Sequence, residues 1–215
     1  MSQAKSEWPF IIEVMSRPRG IPDEAVLKAS SRVLARLGPN QFTLADIAKE
    51  AGLAPATLIQ RFGSKRGLLL ALNQLAAESA GACFARVRSQ HRSPLRALMA
   101  AVEEMAGMAE SPEVLANSLG FLQMDLTDAE FRRWSLVNAR ATTEGFGALL
   151  DDAVRAKELR VCDTRALARL IQAAVHGSMV CWAVYQEGDA CEWVRRDLEM
   201  LLAPYQRKRS TRRKS

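Results

Sequence analysis

The residue types that usually carry chemistry are few in this sequence, and they stand at no spacing typical of a catalytic or metal site. The cysteines and histidines are Cys83, Cys162, Cys181, Cys191, His91 and His176. A structural zinc site needs closely spaced Cys or His ligands, and catalysis needs groups such as a nucleophile beside a base or a pair of carboxylates. The sequence shows no such set, so we expect no enzymatic activity, no metal and no cofactor.

Residues 55–62 carry a different kind of candidate surface, one that is small and uncharged. On a helical wheel of about 100° per residue, Leu58 and Phe62 share one face. The opposite face and its flanks consist of Ala56, Thr57, Ile59 and Gln60. Such a surface fits inside a DNA groove, and Lys65 lies at the next helix start, where free backbone N–H groups also favour a phosphate. The alternative is a compact bundle whose polar face meets only water.

The elements that must position this surface follow from periodicity and helix caps. Thr43 and Asp46 have the spacing of a capping box, Gly52 ends that helix, and Pro55 suits the first turn of the next. Two short helices joined by a glycine turn form a helix-turn-helix. The pattern predicts an all-α fold of nine helices, at about 22–37, 43–51, 55–62, 64–87, 94–109, 112–123, 128–157, 163–187 and 190–203.

Two segments carry a resemblance to a known family. They are FTLADIAKEAGL at 42–53 and ATLIQRFGSKRGLL at 56–69. They resemble the DNA-binding domain of the TetR/AcrR transcriptional regulators. The resemblance implies a homodimeric, all-α regulator with an N-terminal three-helix helix-turn-helix DNA-binding domain and a C-terminal ligand-binding and dimerisation domain. The expected divisions are an N-terminal basic arm at 1–20, the DNA-binding domain at 21–80, the C-terminal domain at 81–204 and a basic disordered tail at 205–215.

The resemblance also implies roles for single residues. Thr43 and Lys65 would hold backbone phosphates, and Ala45 would face the bases. The residues implied to line the groove are Pro55, Ala56, Thr57, Ile59 and Gln60. The sequence departs from the family pattern at Ala54, where a capping Ser or Thr is usual, and at Ile59, where an aromatic residue is usual. We therefore expect Arg61 to take over part of the missing phosphate contact.

Charge is unevenly distributed along the chain. Residues 1–65 have nine cations and six anions, residues 66–203 have a net charge of −3, and residues 204–215 have six cations and no anion. This layout favours a polyanion partner, double-stranded DNA. Arg17 and Arg19 resemble an arm that some family members lay in the minor groove, and a disordered leader is the alternative. The N-terminal residues lack a signal-peptide core and residues 170–186 are too short for a membrane span, so we expect a cytoplasmic protein without a membrane partner.

The C-terminal half is expected to bind a small-molecule effector and to form the dimer. The candidate ligand-binding residues are Met105, Phe121, Trp134, Asn138, Thr142 and His176. The candidate dimer-interface residues are Leu167, Ile171, Ala174, Ser178, Trp182, Val194, Leu198 and Leu201. Ordinary core packing is the alternative for both sets.

These patterns together predict a sequence-specific DNA-binding regulator. We expect a repressor that binds a pseudo-palindromic operator as a homodimer and is released by a small, largely apolar effector. The alternative is an architectural or division-related DNA-binding protein on the same scaffold, without a small-molecule ligand.

Overall fold

The computed structural model describes residues 21–207, and the chain there is almost entirely helical. The nine helices are α1 (Asp23–Gln41), α2 (Leu44–Ala51), α3 (Pro55–Phe62), α4 (Lys65–Gln90), α5 (Pro94–Gly107), α6 (Pro112–Thr127), α7 (Ala129–Arg155), α8 (Thr164–Tyr185) and α9 (Ala190–Leu202). A short 3₁₀ turn, Ala203–Tyr205, follows α9. The predicted all-α fold class is confirmed, and each predicted helix is present. The proposed arm, with Arg17 and Arg19, lies outside the described residues.

Helix α1 contains a break that the sequence predicts as its end. Gly38 has φ +72° and ψ 166°, and Pro39 begins a further turn that runs to Gln41. This break lies against α6, because a Cβ atom at Gly120 would come within 2.8 Å of the Pro39 ring. The end of α1 and the middle of α6 are therefore in close contact.

The side chains pack into two hydrophobic cores, and the first is not confined to the N-terminal helices. Val26 of α1, Ile47 of α2 and Leu58 of α3 are all 1% exposed or less, and the same cluster includes Phe131 at the start of α7. The second core is built from α4, α5, α7, α8 and α9, with Leu115 of α6. The three-helix unit is thus joined to the C-terminal helices through shared apolar packing as well as through α4.

Helices α4 and α7 run side by side in the same direction along the molecule. Arg66 near the start of α4 pairs with Asp128 and Glu130 at the start of α7. Near the other end, Arg88 of α4 pairs with Asp152 of α7. At 1.5 Å per residue, α4 is about 39 Å long, which sets the distance between the α1–α3 end and the opposite end.

The expected tail 205–215 begins with residues that are folded onto the body. The backbone N–H of Arg160 donates to the carbonyl of Tyr205 at 2.8 Å, and Leu159 forms an isolated bridge with Gln206. Residues 205–207 therefore belong to the folded C-terminal domain. The rest of the proposed tail, 208–215, lies outside the described residues.

Within residues 21–207, two helices, α4 and α8, are long and apolar enough to cross a membrane by length and composition alone. The sequence pattern singled out only the second. In α8, seven side chains are buried within the bundle, including Ile171 and Val175. The core helix of a soluble protein passes the same test, so this is weak evidence for a membrane segment.

Candidate functional site

The turn between α2 and α3 sets the angle of the small, uncharged surface. Gly52 adopts the left-handed conformation, with φ +66°, and its N–H donates to the carbonyls of Ala48 and Lys49. Helix α3 then starts with Pro55, and its inward residue Leu58 is 1% exposed. The predicted groove-facing residues lie on the other side, with Pro55, Ala56, Ile59 and Gln60 exposed and Thr57 half-buried. The structure therefore brings these five residues together on one surface.

The start of α2 is fixed by the capping box that the sequence predicts. The N–H of Asp46 donates to the Thr43 hydroxyl at 3.2 Å, and the Thr43 backbone N–H donates to the Asp46 carboxylate at 2.8 Å. The Thr43 hydroxyl also donates to that carboxylate at 2.7 Å. These hydrogen bonds lower the pKa of Asp46 below its ordinary value. The hydroxyl proton of Thr43 is thus already used, and Ala45 lies exposed beside it.

Lys65 holds the junction between the helix-turn-helix and α1. Its ammonium donates to the carbonyl of Phe42 at 2.7 Å and lies 4.0 Å from the centroid of the Phe42 ring. A lysine ammonium has three N–H donors, so two remain for another acceptor. Lys65 can therefore position the loop before α2 and still contact a phosphate.

Arg61 forms contacts within the protein that the sequence did not predict. Its guanidinium donates to the carbonyl of Ile21 at 2.6 Å and pairs with Asp23 at 3.3 Å. The side chain is 24% exposed, so most of it is covered by the start of α1. Arg61 thus ties α3 to α1 through its Nη1 atom. Its partner lies 40 residues earlier in the sequence, a distance over which no local pattern gives a signal.

Side-chain contacts connect α1 and the start of α4, which flank the α2–α3 unit, to α6 and α7. The Arg66 guanidinium donates to Asp128 at 2.7 Å, and this contact lowers the pKa of that carboxyl group. On α6, the Asn117 amide donates to the carbonyls of Ala35 and Arg36 at 2.8 and 3.0 Å, at the last regular turn of α1. A displacement of α6 or of the start of α7 would therefore move α1 and α4.

Four of the six predicted ligand residues line one crevice of about 410 Å³ between α4, α5, α6, α7 and α8. They are Met105, Asn138, Thr142 and His176. Desolvation lowers the pKa of His176, so its imidazole is neutral at pH 7. The sequence analysis missed three further wall residues with partly exposed apolar side chains, Leu122, Leu126 and Leu136. Their apolar type at surface positions is the signal that could have found them.

The other two predicted ligand residues lie elsewhere. Phe121 packs on the N-terminal core and lines a separate crevice of about 320 Å³ between α1, α4 and α6. Trp134 is half-buried, with the Arg133 guanidinium 5.3 Å from its ring centroid. Neither side chain lines the crevice of the other four, because each points to a different side of its helix.

A wider groove of about 1010 Å³ between α7 and α8 adjoins this crevice. Ala139, Gln172 and His176 line both spaces, so the groove and the crevice meet at these residues. The Thr143 hydroxyl and the Gln172 amide oxygen form a hydrogen bond across the groove. Within residues 21–207, no group of three or more His, Cys, Asp or Glu side chains is placed to hold a metal ion.

Most of the predicted dimer-interface residues are buried within a single chain. Those at 8% exposure or less are Leu167, Ile171, Ser178, Trp182, Val194 and Leu198. Ala174 and Leu201 are partly exposed. Because α8 is apolar on more than one face, the sequence alone did not separate its core-facing stripe from its outward stripe. The outward stripe contains Leu170 and Val184, at 54% and 75% exposure, with Gly177 and Val180 between them.

An exposed second helix held on a glycine turn, within a three-helix unit, defines the class of helix-turn-helix DNA-binding regulators. Residues 26–72 match the family model described as bacterial regulatory proteins, tetR family. The chain therefore carries a TetR-family DNA-binding domain, and the resemblance found in the sequence is confirmed. No curated protein matches the chain in sequence.

Solved structures extend the likeness to the whole fold. A TetR transcription regulator from Haloarcula marismortui is 17% identical with a TM-score of 0.72, and the match covers 86% of this chain and 98% of that one. A TetR-family regulator from Agrobacterium tumefaciens is 23% identical with a TM-score of 0.68, covering 86% and 97%. The regulator FadR from Bacillus subtilis, in complex with stearoyl-CoA, is 18% identical with a TM-score of 0.63, covering 85% and 98%. The chain thus has the fold of the TetR-type transcriptional regulators over both of its parts.

Proposed function

We propose that this DNA-binding regulator is a homodimeric repressor that leaves its operator when a small, largely apolar effector binds the crevice between α4 and α8. The observation that carries the proposal is the crevice itself. Its volume of about 410 Å³ falls in the range of about 300–1,000 Å³ typical of ligand sites. An architectural DNA-binding protein without a ligand has no need of such a space.

On the DNA side, α3 is the helix that enters the major groove. Gln60 can donate and accept at once with its amide, which suits the edge of an adenine. The other proposed groove contacts are Ala45, Pro55, Ala56, Thr57 and Ile59, and Lys65 is the proposed backbone contact. Thr57 and Lys65 are half-buried and the others are exposed, which supports the assignment. Thr43 is left out, because its backbone N–H and its hydroxyl both donate to Asp46. Arg61 is left out, because its guanidinium is bound to the start of α1.

The crevice is connected to the DNA-binding domain through α6. Leu122 and Leu126 of α6 form part of the crevice wall, and Asn117 of the same helix holds the end of α1. An effector that separates α6 from α7 would shift α1, and with it the α2–α3 unit that packs on α1. The effector then makes different contacts in the operator-bound conformation and in the released conformation, and an allosteric ligand requires such a difference.

Dimerisation is assigned to the outward face of α8. Leu170, Gly177, Val180 and Val184 lie on this face, and an added Cβ at Gly177 would meet no atom within 4 Å. The open space at Gly177 lets a second helix approach closely, and the exposed aliphatic side chains supply apolar area on both sides of it. This stripe replaces the buried residues expected from the sequence.

The chemistry of the effector follows from the walls of the crevice. Leu122, Leu126, Leu136 and Met105 favour an aliphatic body. The amide of Asn138, the neutral imidazole of His176 and the charged side chains of Asp125 and Arg132 suit a polar end group. The likeness to FadR in complex with stearoyl-CoA supports a long aliphatic compound on this scaffold. Because the protein acts on chromosomal DNA, we expect it in the cytoplasm.

The experiment that tests the proposal is selection of bound fragments from genomic DNA with the purified protein. We expect one pseudo-palindromic motif, and the genes beside it indicate which compounds to try as effectors. Those compounds are then titrated into two operator complexes, one of the wild-type protein and one of the Leu126→Glu variant. The substitution places a charge in the crevice wall. Release of wild type with no release of the variant supports the proposal. The absence of a common motif, or equal release of both proteins, contradicts it.

A further inference from the structure

The end of the molecule opposite the DNA-binding domain has an excess of cations. Three segments meet there, and we call them together the distal pole: residues 88–96, residues 151–165 and residues 203–207. Glu158 joins them, because its carboxylate accepts hydrogen bonds from the Ser93 hydroxyl at 3.0 Å and from the N–H of Leu95 at 2.9 Å. The carbonyl of Glu158 also accepts from the N–H of Arg207. The three segments contain eight cations and four carboxylates.

All four carboxylates are occupied by internal contacts. Asp151 accepts from the Thr164 hydroxyl at 2.6 Å, and Asp163 accepts from the N–H of Ala166 at 2.9 Å as the cap of α8. Asp152 pairs with both Arg88 and Arg155, and Glu158 holds the start of α5. The anions of the distal pole therefore have fixed roles within the fold, and its eight cations less its four carboxylates leave a net charge of +4.

Five cations of the distal pole are exposed and form no ion pair among residues 21–207. They are Arg92, Lys157, Arg160, Arg165 and Arg207. Arg96 stands at the edge of this group, beside a crevice that it lines with Glu199. The sequence beyond Arg207 adds Lys208, Arg209, Arg212, Arg213 and Lys214 with no anion.

These cations are too far from the α2–α3 unit to touch the DNA that it holds. The distal pole lies at the end of α4, about 39 Å from its start. In a dimer whose two α3 helices contact the same DNA, both distal poles face away from it. A polyanion bound there must be a different molecule or a distant part of the same one.

The chemistry of the distal pole fits a phosphate backbone. Seven of its eight cations are arginines, whose planar guanidinium binds two phosphate oxygens at once. A bilayer surface favours aromatic and large aliphatic side chains beside the cations, and among the exposed residues of this pole only Val161 is a large apolar one. A regulator held on an operator is also surrounded by neighbouring DNA at high effective concentration.

We propose that the distal pole binds the backbone of a second DNA segment without sequence preference, so that an operator-bound dimer bridges two duplexes. The bridging of two duplexes rests on the proposed operator binding. The binding of random DNA by the distal pole is independent of it. Each phosphate contact contributes about 0.9 to the slope of log affinity against log salt concentration. Removing two contacts therefore lowers that slope by up to about two.

The test uses Arg92→Glu with Arg160→Glu, two exposed side chains that form no ion pair. The matched control is Arg133→Glu with Arg140→Glu, which makes the same change of charge on the exposed side of α7. Beads carrying a genomic fragment from the selection capture each protein, and a labelled random-sequence duplex is then added. We expect wild type and control to retain the labelled duplex, and the pole variant to retain several-fold less while it remains on the beads.

A second measurement separates this proposal from the function of α3. In Gln60→Ala with Lys65→Ala, the preference for the genomic fragment over random DNA is expected to be lost, whereas titration with the random duplex still shows the salt slope of the pole. Adding the pole substitutions to this variant should lower that remaining slope by up to about two. Equal retention by wild type and the pole variant overturns the proposal. So does a pole variant that loses binding only to phosphatidylglycerol vesicles, which would assign the surface to a membrane.

Discussion

The guanidinium of Arg66 lies 2.7 Å from the Asp128 carboxylate, at the point where α4 leaves the DNA-binding domain and α7 begins. The same guanidinium pairs with Glu130. These side chains are partly exposed, so the contacts contribute little to the free energy of unfolding. Their consequence is geometric, because they fix the start of α4, which directly follows α3, against the start of α7.

The first prediction concerns Asp128→Asn with Glu130→Gln. The asparagine can still cap α7, so we expect little change in thermal unfolding. If the ion pairs orient the DNA-binding domain, the ratio of operator affinity to random-DNA affinity falls, although the protein gains positive charge. The measurement is fluorescence anisotropy with both duplexes. The control is Glu187→Gln with Glu192→Gln at the α8–α9 turn, which makes the same change of net charge. An equal fall of the affinity ratio in both double variants would mean that net charge, and not the Arg66 ion pairs, sets this ratio.

The second prediction compares Gln60 with Lys65. Gln60→Ala removes an exposed amide from α3, so it should cost about 1–3 kcal/mol on the selected site and relax the preference at one position per half-site. Lys65→Ala should weaken all sequences alike and lower the salt slope by about 0.9 per subunit. Repeating the DNA selection with each variant measures both effects. An unchanged motif with Gln60→Ala would show that another side of α3 faces the bases.

How much of this molecule follows from sequence can be judged from α2 and α8. The ends of α2 were predictable because Thr43, Asp46 and Gly52 act within a few residues of one another, and such contacts are encoded locally. The orientation of α8 was not, because Ile171 and Leu170 are adjacent apolar residues of which one is buried and the other 54% exposed. Only the packing of α7 and α9 decides which of the two faces inward.

The same limit applies to the candidate site. The exposed surface of α3 was predictable from the wheel of one short helix. The contact of Arg61 with Ile21 was not, since it depends on how α1 packs on α3. The position of Phe121 likewise depends on the extension of the N-terminal core into α6. Local chemistry is thus visible in the sequence, whereas contacts between distant segments require the fold.

The third prediction distinguishes Arg61 from a phosphate-binding residue. Arg61→Ala removes a partly buried hydrogen bond to the Ile21 carbonyl, so we expect the free energy of unfolding to fall by about 1 kcal/mol. Because the guanidinium is already engaged, the salt slope of DNA binding should stay at the wild-type value. Urea unfolding and a salt titration of operator binding measure the two quantities. If the salt slope of Arg61→Ala falls as it does in Lys65→Ala, Arg61 contacts a phosphate after all.

The fourth prediction concerns the outward stripe of α8. Val180→Asp places a charge on the proposed dimer face, where burial of an unpaired carboxylate is strongly unfavourable. We expect a monomer in sedimentation velocity at micromolar concentration and a large loss of operator affinity. Val137→Asp is the matched control, because Val137 lies on α7 and is 42% exposed, close to the 40% of Val180. A dimer that survives Val180→Asp would move the interface to another surface.

The last prediction is a pH dependence of stability that originates in the capping box of α2. Hydrogen bonds from Thr43 hold the pKa of Asp46 below its ordinary value in the folded state. As the pH falls, the unfolded chain therefore takes up this proton first, near pH 3.9, and the folded state loses stability down to its own lower pKa. Above the unfolded pKa, the contribution of the carboxylate is fully present.

Asp46→Asn should for this reason lower the free energy of unfolding at pH 7, because the variant lacks the charge that the hydrogen bonds from Thr43 stabilise. The difference between wild type and variant should shrink as the pH falls below 4. Urea unfolding at several pH values measures this difference. Glu199→Gln, at an exposed carboxylate of α9, is the control and should give a small difference at pH 7. A difference for Asp46→Asn that stays constant down to pH 3 would contradict the origin assigned here, because a cap that acts without its charge does not titrate.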